Sequence, residues 1–249
     1  MPAQPHADLL VMSSPVLEII DIEKRYQGLR PLRMQSLTLA AGERVALLGL
    51  DGGASEVLVN LVTGASLPDR GDIRVLGRSH RQISDGDEWL SSLDRFGIVS
   101  ERAVLLEGAT LEQNLAMPFT LQIDPVDAAT SERVAALAAA CGLAAPGKEG
   151  EVLTRRAGDV APELRARAHL ARAVALEPAL LLLEHPTAQI PEAARAAFAA
   201  DIVRVTDARR LAVFIITQDQ AFAQKVAHRT LKLNGATGAL SPVRRGWFS

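Results

Sequence analysis

The chain has 249 residues, enough for one large domain, or a domain with a subdomain, around a full hydrophobic core. Apolar residues make up 48% and charged residues 22%, as in an ordinary globular protein. The net charge of −2 argues against nonspecific binding to nucleic acid or anionic lipid. The lone cysteine, Cys141, excludes an internal disulfide framework and a cysteine metal cluster.

The first stretch, "MPAQPHADLLVMSSPVLEII", reads as a polar tail followed by the start of ordered patterning. It lacks the basic region and apolar run of a secretion signal. No stretch of the chain reaches the ~18 apolar residues that a membrane-spanning helix requires. We predict that residues 1–14 are disordered, with Met12 as a second candidate for the start of translation.

Strand patterning recurs along the chain, at 16–22, 35–41, 44–50, 72–77, 96–100, 179–185, 211–217 and 229–235. The segments at 44–50, 96–100, 179–185 and 211–217 are almost wholly apolar, which is typical of parallel strands covered by helices on both faces. Helical periodicity appears between them, at 55–63, 111–117, 127–143, 162–176, 191–207 and 219–227. This alternation predicts an α/β fold.

The middle of the chain, 101–160, is rich in helical patterning and alanine and has no convincing strand. We interpret it as a helical subdomain inserted into a core made of residues 15–100 and 161–235. Residues 236–249 are predicted to form a C-terminal tail. In that tail Trp247 and Phe248 either pack against the chain end or anchor a partner.

The stretch "LLGLDGGASEVLVNLVTG", residues 47–64, has the order of a phosphate-binding loop: an apolar strand, a glycine-rich turn and an amphipathic helix. Such a loop also needs a lysine that neutralises the phosphates and a hydroxyl that holds magnesium. At those two positions the chain has Ser55 and Glu56.

From about residue 16 to 235, the order and spacing of these segments resemble the nucleotide-binding domain of an ABC transporter. The resemblance rests on "EKRY" (23–26), "AGERVALLGLDGG" (41–53), "PDRGDIRVLG" (68–77), "GATLEQNLAMP" (108–118), "HLARAVALEPALLLLEHPTA" (169–188) and "FIITQD" (214–219). It implies a P-loop NTPase-like (RecA-like), mostly parallel core sheet with an antiparallel β part and an inserted helical subdomain. "TLEQNLAMP" is similar to lipoprotein-release and lipid-trafficking members.

The resemblance implies a site for ATP and Mg²⁺ whose binding residues have been altered. Tyr26 stands where the family stacks an aromatic ring on adenine. The Walker A residues are Gly49, Asp51, Gly52, Gly53, Ala54, Ser55 and Glu56. Two glycines match, whereas Ala54 replaces a glycine, Ser55 the lysine and Glu56 the hydroxyl residue. A like-charge pair at 4 Å costs up to about 4 kcal/mol at an effective dielectric constant of 20, so we expect ATP binding to be weak or lost.

The remaining chemical positions depart from the family as well. Walker B ends in Glu184 and His185 instead of Asp-Glu, and Gln218 stands at the switch histidine. Glu101 replaces the glutamine that touches magnesium, so Glu184 and Glu101 are the candidate metal ligands. His185 is either a substitute base or a structural histidine bonded to the backbone.

The signature sequence is replaced by Val160, Ala161, Pro162, Glu163 and Leu164. Pro162 has no N–H for a phosphate, and Glu163 presents negative charge, although both suit the first turn of a helix. One hypothesis is that Glu56 and Glu163 stand in for phosphate at two positive helix ends. The alternative is drift at a disused surface.

These features predict a pseudo-ATPase, with hydrolysis weak or absent, that acts as a structural or regulatory subunit of a membrane transport complex. Its expected partners are permease subunits, and a second copy or another ABC subunit as a dimer partner, but no nucleic acid. Leu105, Leu106 and Glu107 are the candidate permease contacts. The expected location is cytoplasmic, at the inner face of the membrane.

Two alternatives stay open. One is an active ATPase that uses Glu184 for magnesium, Arg102 or another arginine for charge, and His185 as base. The other is a domain that binds a nucleotide or another anion without turnover.

Overall fold

The computed structural model describes residues 14–144 and 147–244. Most of the predicted disordered tail, with Met12, and the residues Trp247 and Phe248 lie outside the described residues.

The N-terminal part contains an antiparallel sheet. Its strands are β1 (Leu17–Lys24), β2 (Leu32–Met34), β3 (Leu37–Leu39), β5 (Arg70–Val75) and β6 (Arg78–Ser79). The order is β2-β1-β5-β6, and β3 also pairs with β1. The short strands β2 and β6 were not predicted, because two or three residues carry too little alternation to be recognised.

The second sheet is parallel except at one edge. Its strands are β4 (Arg44–Leu48), β7 (Phe96–Val99), β8 (Leu180–Glu184), β9 (Ala212–Ile216), β10 (Arg229–Leu233) and β11 (Leu240–Pro242), in the order β11-β10-β4-β9-β8-β7. The predicted α/β fold with a mostly parallel core sheet and an antiparallel part is therefore confirmed. The predicted tail after residue 235 is wrong in its first part, because β11 pairs with β10 and extends the sheet to Pro242.

The helices of the described residues are α1 (Gly52–Val62), α2 (Gly86–Ser92), α3 (Leu111–Ala116), α4 (Ala128–Ala140), α5 (Glu149–Leu153), α6 (Pro162–Val174), α7 (Glu192–Arg209) and α8 (Gln220–Val226). Helices α3, α4 and α5 occupy the segment predicted as a helical subdomain, and α4 packs against α6 and α7. No helix of the described residues is long and apolar enough to cross a membrane.

Alternate residues of the apolar strands bury against two separate cores. On β9, Val213 and Ile215 pack with helices α3, α4, α6, α7 and α8, while Phe214 and Ile216 pack with α1 and the antiparallel sheet. Successive side chains of a strand point to opposite faces, so a strand covered on both faces is apolar throughout. Since β4, β9 and β8 are parallel, the loops that follow β4 and β8 lie at the same edge of the sheet, on either side of β9.

Candidate functional site

The loop between β4 and α1 is held by its own residues. Gly49 has φ +98°, and a Cβ there would lie 2.9 Å from the carbonyl oxygen of Leu233, so the turn requires glycine. The Asp51 carboxylate caps α1 by accepting a hydrogen bond from the Ala54 amide at 2.8 Å. One amide at this helix start is thus satisfied by the protein itself. Asp51, and not Glu56, holds the positive helix end.

Ser55, at the position of the expected lysine, is fully buried. Its Oγ lies 2.7 Å from the carbonyl oxygen of Asp51 and 3.0 Å from Nε2 of His185. The serine hydroxyl is therefore held between the backbone at the start of α1 and the ring of His185. The sequence placed both residues at the site but did not predict that they bond to each other.

His185 comes directly after β8 in a left-handed backbone conformation, with φ +45°. Its amide donates to the carbonyl of Ile216 at 2.8 Å, and its ring is half-buried. The main chain of His185 is thus held by β9, while its ring bonds to Ser55.

Arg102, in the loop after β7, joins the two other acidic positions. One guanidinium nitrogen lies 2.7 Å from Oε1 of Glu56, and another lies 2.9 Å from Oε2 of Glu184. Glu56 is in the second turn of α1 and exposed, whereas Glu184 ends β8 and is only 8% exposed. A metal ion at these two carboxylates would first have to displace Arg102.

Tyr26 lies beside the loop, at the edge of a cavity of about 820 Å³ that also contains residues 49–54 and Glu56. A Cβ on Gly53 would lie 3.8 Å from the tyrosine ring, so the ring and the glycine-rich turn are neighbours. Partial burial, followed by the charge of Asp51, raises the pKa of Tyr26 above its ordinary value. The cavity also contains Arg30 and Arg33, two cations that the motif comparison missed because they lie outside the loop.

The other candidate ligands are dispersed. Glu101 is exposed and lines a second cavity with Glu184 and His185. Gln218 donates from Nε2 to the carbonyl oxygen of Leu50 at 3.2 Å. Among residues 14–144 and 147–244, no group of three or more His, Cys, Asp or Glu residues is arranged to hold a metal ion.

The start of α6 holds the positions of the signature sequence. Val160 is buried, Ala161 is the helix cap, Pro162 is the first helical residue and Glu163 lies in the first turn. Ala161 offers no side-chain oxygen, so no side chain caps this helix. Leu164, in the same turn, packs against the core shared by the helices.

A second cavity, of about 170 Å³, lies between α6, the loop after β7 and the loop after β8. Among its lining residues, Arg165 and His169 each have a buried nitrogen, Nε and Nδ1 respectively, with no hydrogen-bond partner in the described part of the chain. Burial, and then the charges of Arg172 and Arg165, lower the pKa of His169 to about 4. The ring is therefore neutral at pH 7.

The three predicted permease contacts differ in their exposure to solvent. Leu105 is 4% exposed and packs in the core, and it reaches the surface only as part of the lining of the second cavity. Leu106 is 52% exposed and its neighbour Val104 is 69% exposed, while Glu107 is exposed beside them. The sequence pattern showed that the segment was apolar but not which residue faced inward.

The family model described as "ABC transporter" matches residues 32–188, which is more than half of the chain. The chain belongs to this family. The methionine import ATP-binding protein MetN of Brucella abortus (strain 2308) is 26% identical over 222 residues, covering 89% of this chain and 58% of that protein. The chain therefore spans somewhat over half the length of that relative.

Two further ABC relatives are similar over nearly the whole chain. The sulfate/thiosulfate import ATP-binding protein CysA 2 of Chromobacterium violaceum is 29% identical, covering 91% of this chain and 58% of that protein. The lipoprotein-releasing system ATP-binding protein LolD of Alcanivorax borkumensis is 28% identical, covering 86% of this chain and 92% of that protein.

Solved structures confirm the ABC cassette fold. The ATP-binding cassette MJ0796, described as a dimer in a post-hydrolysis state bound to ADP and Pi, aligns with a TM-score of 0.73 at 16% identity, covering 92% of this chain and 100% of that one. The cbiO1 protein of Clostridium perfringens, part of the transporter complex cbiONQ, aligns with a TM-score of 0.75 at 18% identity, covering 91% and 87%. The resemblance inferred from the sequence motifs is thus confirmed.

Proposed function

We propose that this ABC protein is a pseudo-ATPase: a subunit that keeps the cassette architecture and its partner surface but not the groups that hydrolyse ATP. The observation that carries the proposal is the complete burial of Ser55, bonded to Asp51 and His185 where a lysine would otherwise reach the phosphates. The loop itself supplies no cation, and Glu56 adds a negative charge next to it.

The charges around the loop oppose a magnesium-bound triphosphate. Asp51 and Glu56 both lie at the loop, while the cation nearest to Glu56, Arg102, is already bonded to two carboxylates. Compared with the family's loop, a triphosphate here would lose the attraction of the lysine. It would also meet the repulsion of Glu56, which is worth up to about 4 kcal/mol. We infer that binding of Mg-ATP is weak or lost.

An active ATPase with His185 as base is disfavoured by the hydrogen bonds. Nε2 of His185 is already hydrogen-bonded to the buried hydroxyl of Ser55 at 3.0 Å, so a water at that nitrogen would have to displace the serine. Glu184, the candidate metal ligand, is bonded to Arg102.

Binding of an anion without turnover is the second candidate, because the cavity beside Tyr26 contains Arg30 and Arg33. Arg33 is partly engaged with Glu23, at 3.1 Å. In this second candidate function, Arg30 would bind the phosphate group of a nucleotide or of a smaller phosphate compound.

Melting temperature with and without Mg-ATP, together with phosphate release, separates these functions. A ligand at 100 times its dissociation constant adds about 2.7 kcal/mol of stability. We expect neither a shift nor phosphate release. A shift without release would favour the anion binder, and sustained release would refute the pseudo-ATPase.

The proposed partner surface is the second cavity, which Val104, Arg165 and His169 line, together with the exposed Leu106 two residues after Val104. Arg165 and His169 have unsatisfied buried nitrogens there. Unpaired buried polar groups are costly, and a partner segment that supplies hydrogen-bonding atoms would remove that cost. The MetN, CysA 2 and LolD relatives are ATP-binding proteins of import or release systems. We propose membrane permease subunits as the partners, and through them a position at the inner face of the membrane.

The double substitution Val104→Asp and Leu106→Asp tests this surface. We expect tagged protein with both changes to lose copurification with a permease from native membranes while keeping its melting temperature. Leu90→Asp, an exposed leucine on α2, is the matched control and should retain the partner. Equal recovery from all three proteins would place the contact elsewhere.

A further inference from the structure

Glu184 is a carboxylate that needs a positive partner. It is 8% exposed at the end of β8, and burying an unpaired carboxylate is strongly unfavourable. Arg102 provides the partner at 2.9 Å from Oε2. The arginine comes from a loop on another strand, so this pairing exists only in the folded chain.

Glu56 binds the other terminal nitrogen of the same guanidinium. Its Oε1 lies 2.7 Å from a second nitrogen of Arg102, so one cation lies between two carboxylates that come from α1 and β8. The planar guanidinium presents several donors at fixed angles, which suits a bridge of this kind.

A magnesium ion does not fit beside this arginine. Mg²⁺ requires near-octahedral oxygen ligands at about 2.0–2.1 Å. At this point of the site those oxygens would come from Glu184, the candidate ligand, and from Glu56, and both are bonded to Arg102. The guanidinium lies between them and carries positive charge, so the metal and Arg102 exclude each other sterically and electrostatically.

We infer that Arg102 is a built-in replacement for a divalent cation. It balances the charge of Glu56 and Glu184, ties the loop after β7 to α1 and β8, and makes the folded site indifferent to magnesium. This inference rests on the proposed function, because it explains why a subunit that does not hydrolyse ATP can keep a folded site without magnesium. Its test, however, uses the protein without nucleotide, so the two can fail separately.

The test removes Arg102 from the full chain and asks whether a divalent metal ion restores the lost stability. We compare melting temperatures in EDTA and in millimolar Mn²⁺ for the wild type, for Arg102→Ala and for Arg102→Ala combined with Glu56→Gln. The wild type should melt at the same temperature in both conditions. Arg102→Ala should lose about 2–4 °C in EDTA and recover most of it in Mn²⁺, because the freed carboxylates then bind the metal. The double variant should not recover.

Arg74→Ala is the matched control, since Arg74 pairs with Asp72 at 3.0 Å away from the site. It should show no Mn²⁺ response. If Arg102→Ala does not fold, Arg102→Gln carries the same comparison, with bound Mn²⁺ followed by electron paramagnetic resonance. A wild type stabilised by Mn²⁺ as strongly as the variant, or a variant without metal rescue, overturns the inference. ATP turnover by a wild type that is indifferent to Mn²⁺ would instead refute the pseudo-ATPase.

Discussion

The starts of α1 and α6 occupy the two positions where an ABC cassette holds phosphate, and this chain treats them differently. At α1, Asp51 caps the helix, Ser55 bonds to His185, and Glu56 pairs with Arg102. At α6, no side chain caps the helix, and the adjoining cavity contains Arg165 and His169 with unsatisfied nitrogens.

At the start of α1 the protein's own side chains satisfy the polar groups, whereas at the start of α6 some polar groups are left without partners among the described residues. A polar group buried in the fold needs a partner, and the protein supplies it at α1. At α6 the partner is not supplied by the described residues, which is the pattern expected of a surface that another molecule completes.

The largest expected effect comes from restoring the family's residues at α1. Ser55→Lys combined with Glu56→Thr replaces a repulsive charge with an attractive one beside the phosphates. We expect the affinity for Mg-ATP to rise by about 100-fold or more, measured by calorimetry. The matched control is Ser91→Lys with Asp87→Thr on α2, which should leave the affinity unchanged. An unaltered affinity in the restored variant would mean that the loop is closed for reasons other than charge.

Substitutions at the two helix caps should change the free energy of unfolding by smaller amounts and in opposite directions. Asp51→Ala removes the cap of α1 and should lower the free energy of unfolding by about 1 kcal/mol. Ala161→Ser supplies a cap oxygen to α6 and should raise the same quantity by about 0.5–1 kcal/mol. Urea denaturation of both variants checks the signs. A loss of stability in Ala161→Ser would show that the start of α6 is constrained in another way.

The smallest effect is a pH dependence from His169. The unfolded histidine takes up a proton near pH 6.5, whereas the folded residue does so only near pH 4, so stability is complete above pH 6.5 and falls as the pH falls below it. Allowing for partial solvent access, we expect about 1 kcal/mol of loss between pH 6.5 and 5.

His169→Gln should flatten that part of the curve in denaturation experiments across the pH range. Burial also lowers the pKa of His80, which contributes in the same direction in both proteins, so the difference between them isolates His169. Parallel curves would show that the ring of His169 is not shielded in solution. If a bound permease supplies a hydrogen bond to Nδ1 of His169, the start of α6 differs from the start of α1 in needing a partner molecule.

Apolar runs and glycine-rich turns made most of the architecture predictable. The segments predicted at 44–50, 179–185 and 211–217 contain β4, β8 and β9, because strands buried on both faces leave an unmistakable pattern. The short strands β2, β6 and β11 and the helices α2 and α5 were missed, since few residues and mixed polarity carry little periodic signal.

The contacts of the site were not predictable in the same way. The sequence predicted replacements of family residues at Ser55, Glu56, Glu184 and His185, because the residue type at a position can be read without knowing the fold. Their new partners lie far along the chain: Ser55 bonds to His185 across 130 residues, and Arg102 reaches Glu184 across 82.

Local chemistry along the chain thus determined the sheet, the helices and the residue types in the loop after β4. Only the packing of β4, β9, β8 and β7 in this order decided that Ser55 would meet His185 and that Arg102 would pair with Glu56 and Glu184. The reason is geometric: hydrogen bonds and ion pairs act over a few ångströms, and chain folding alone sets which distant residues come within that range.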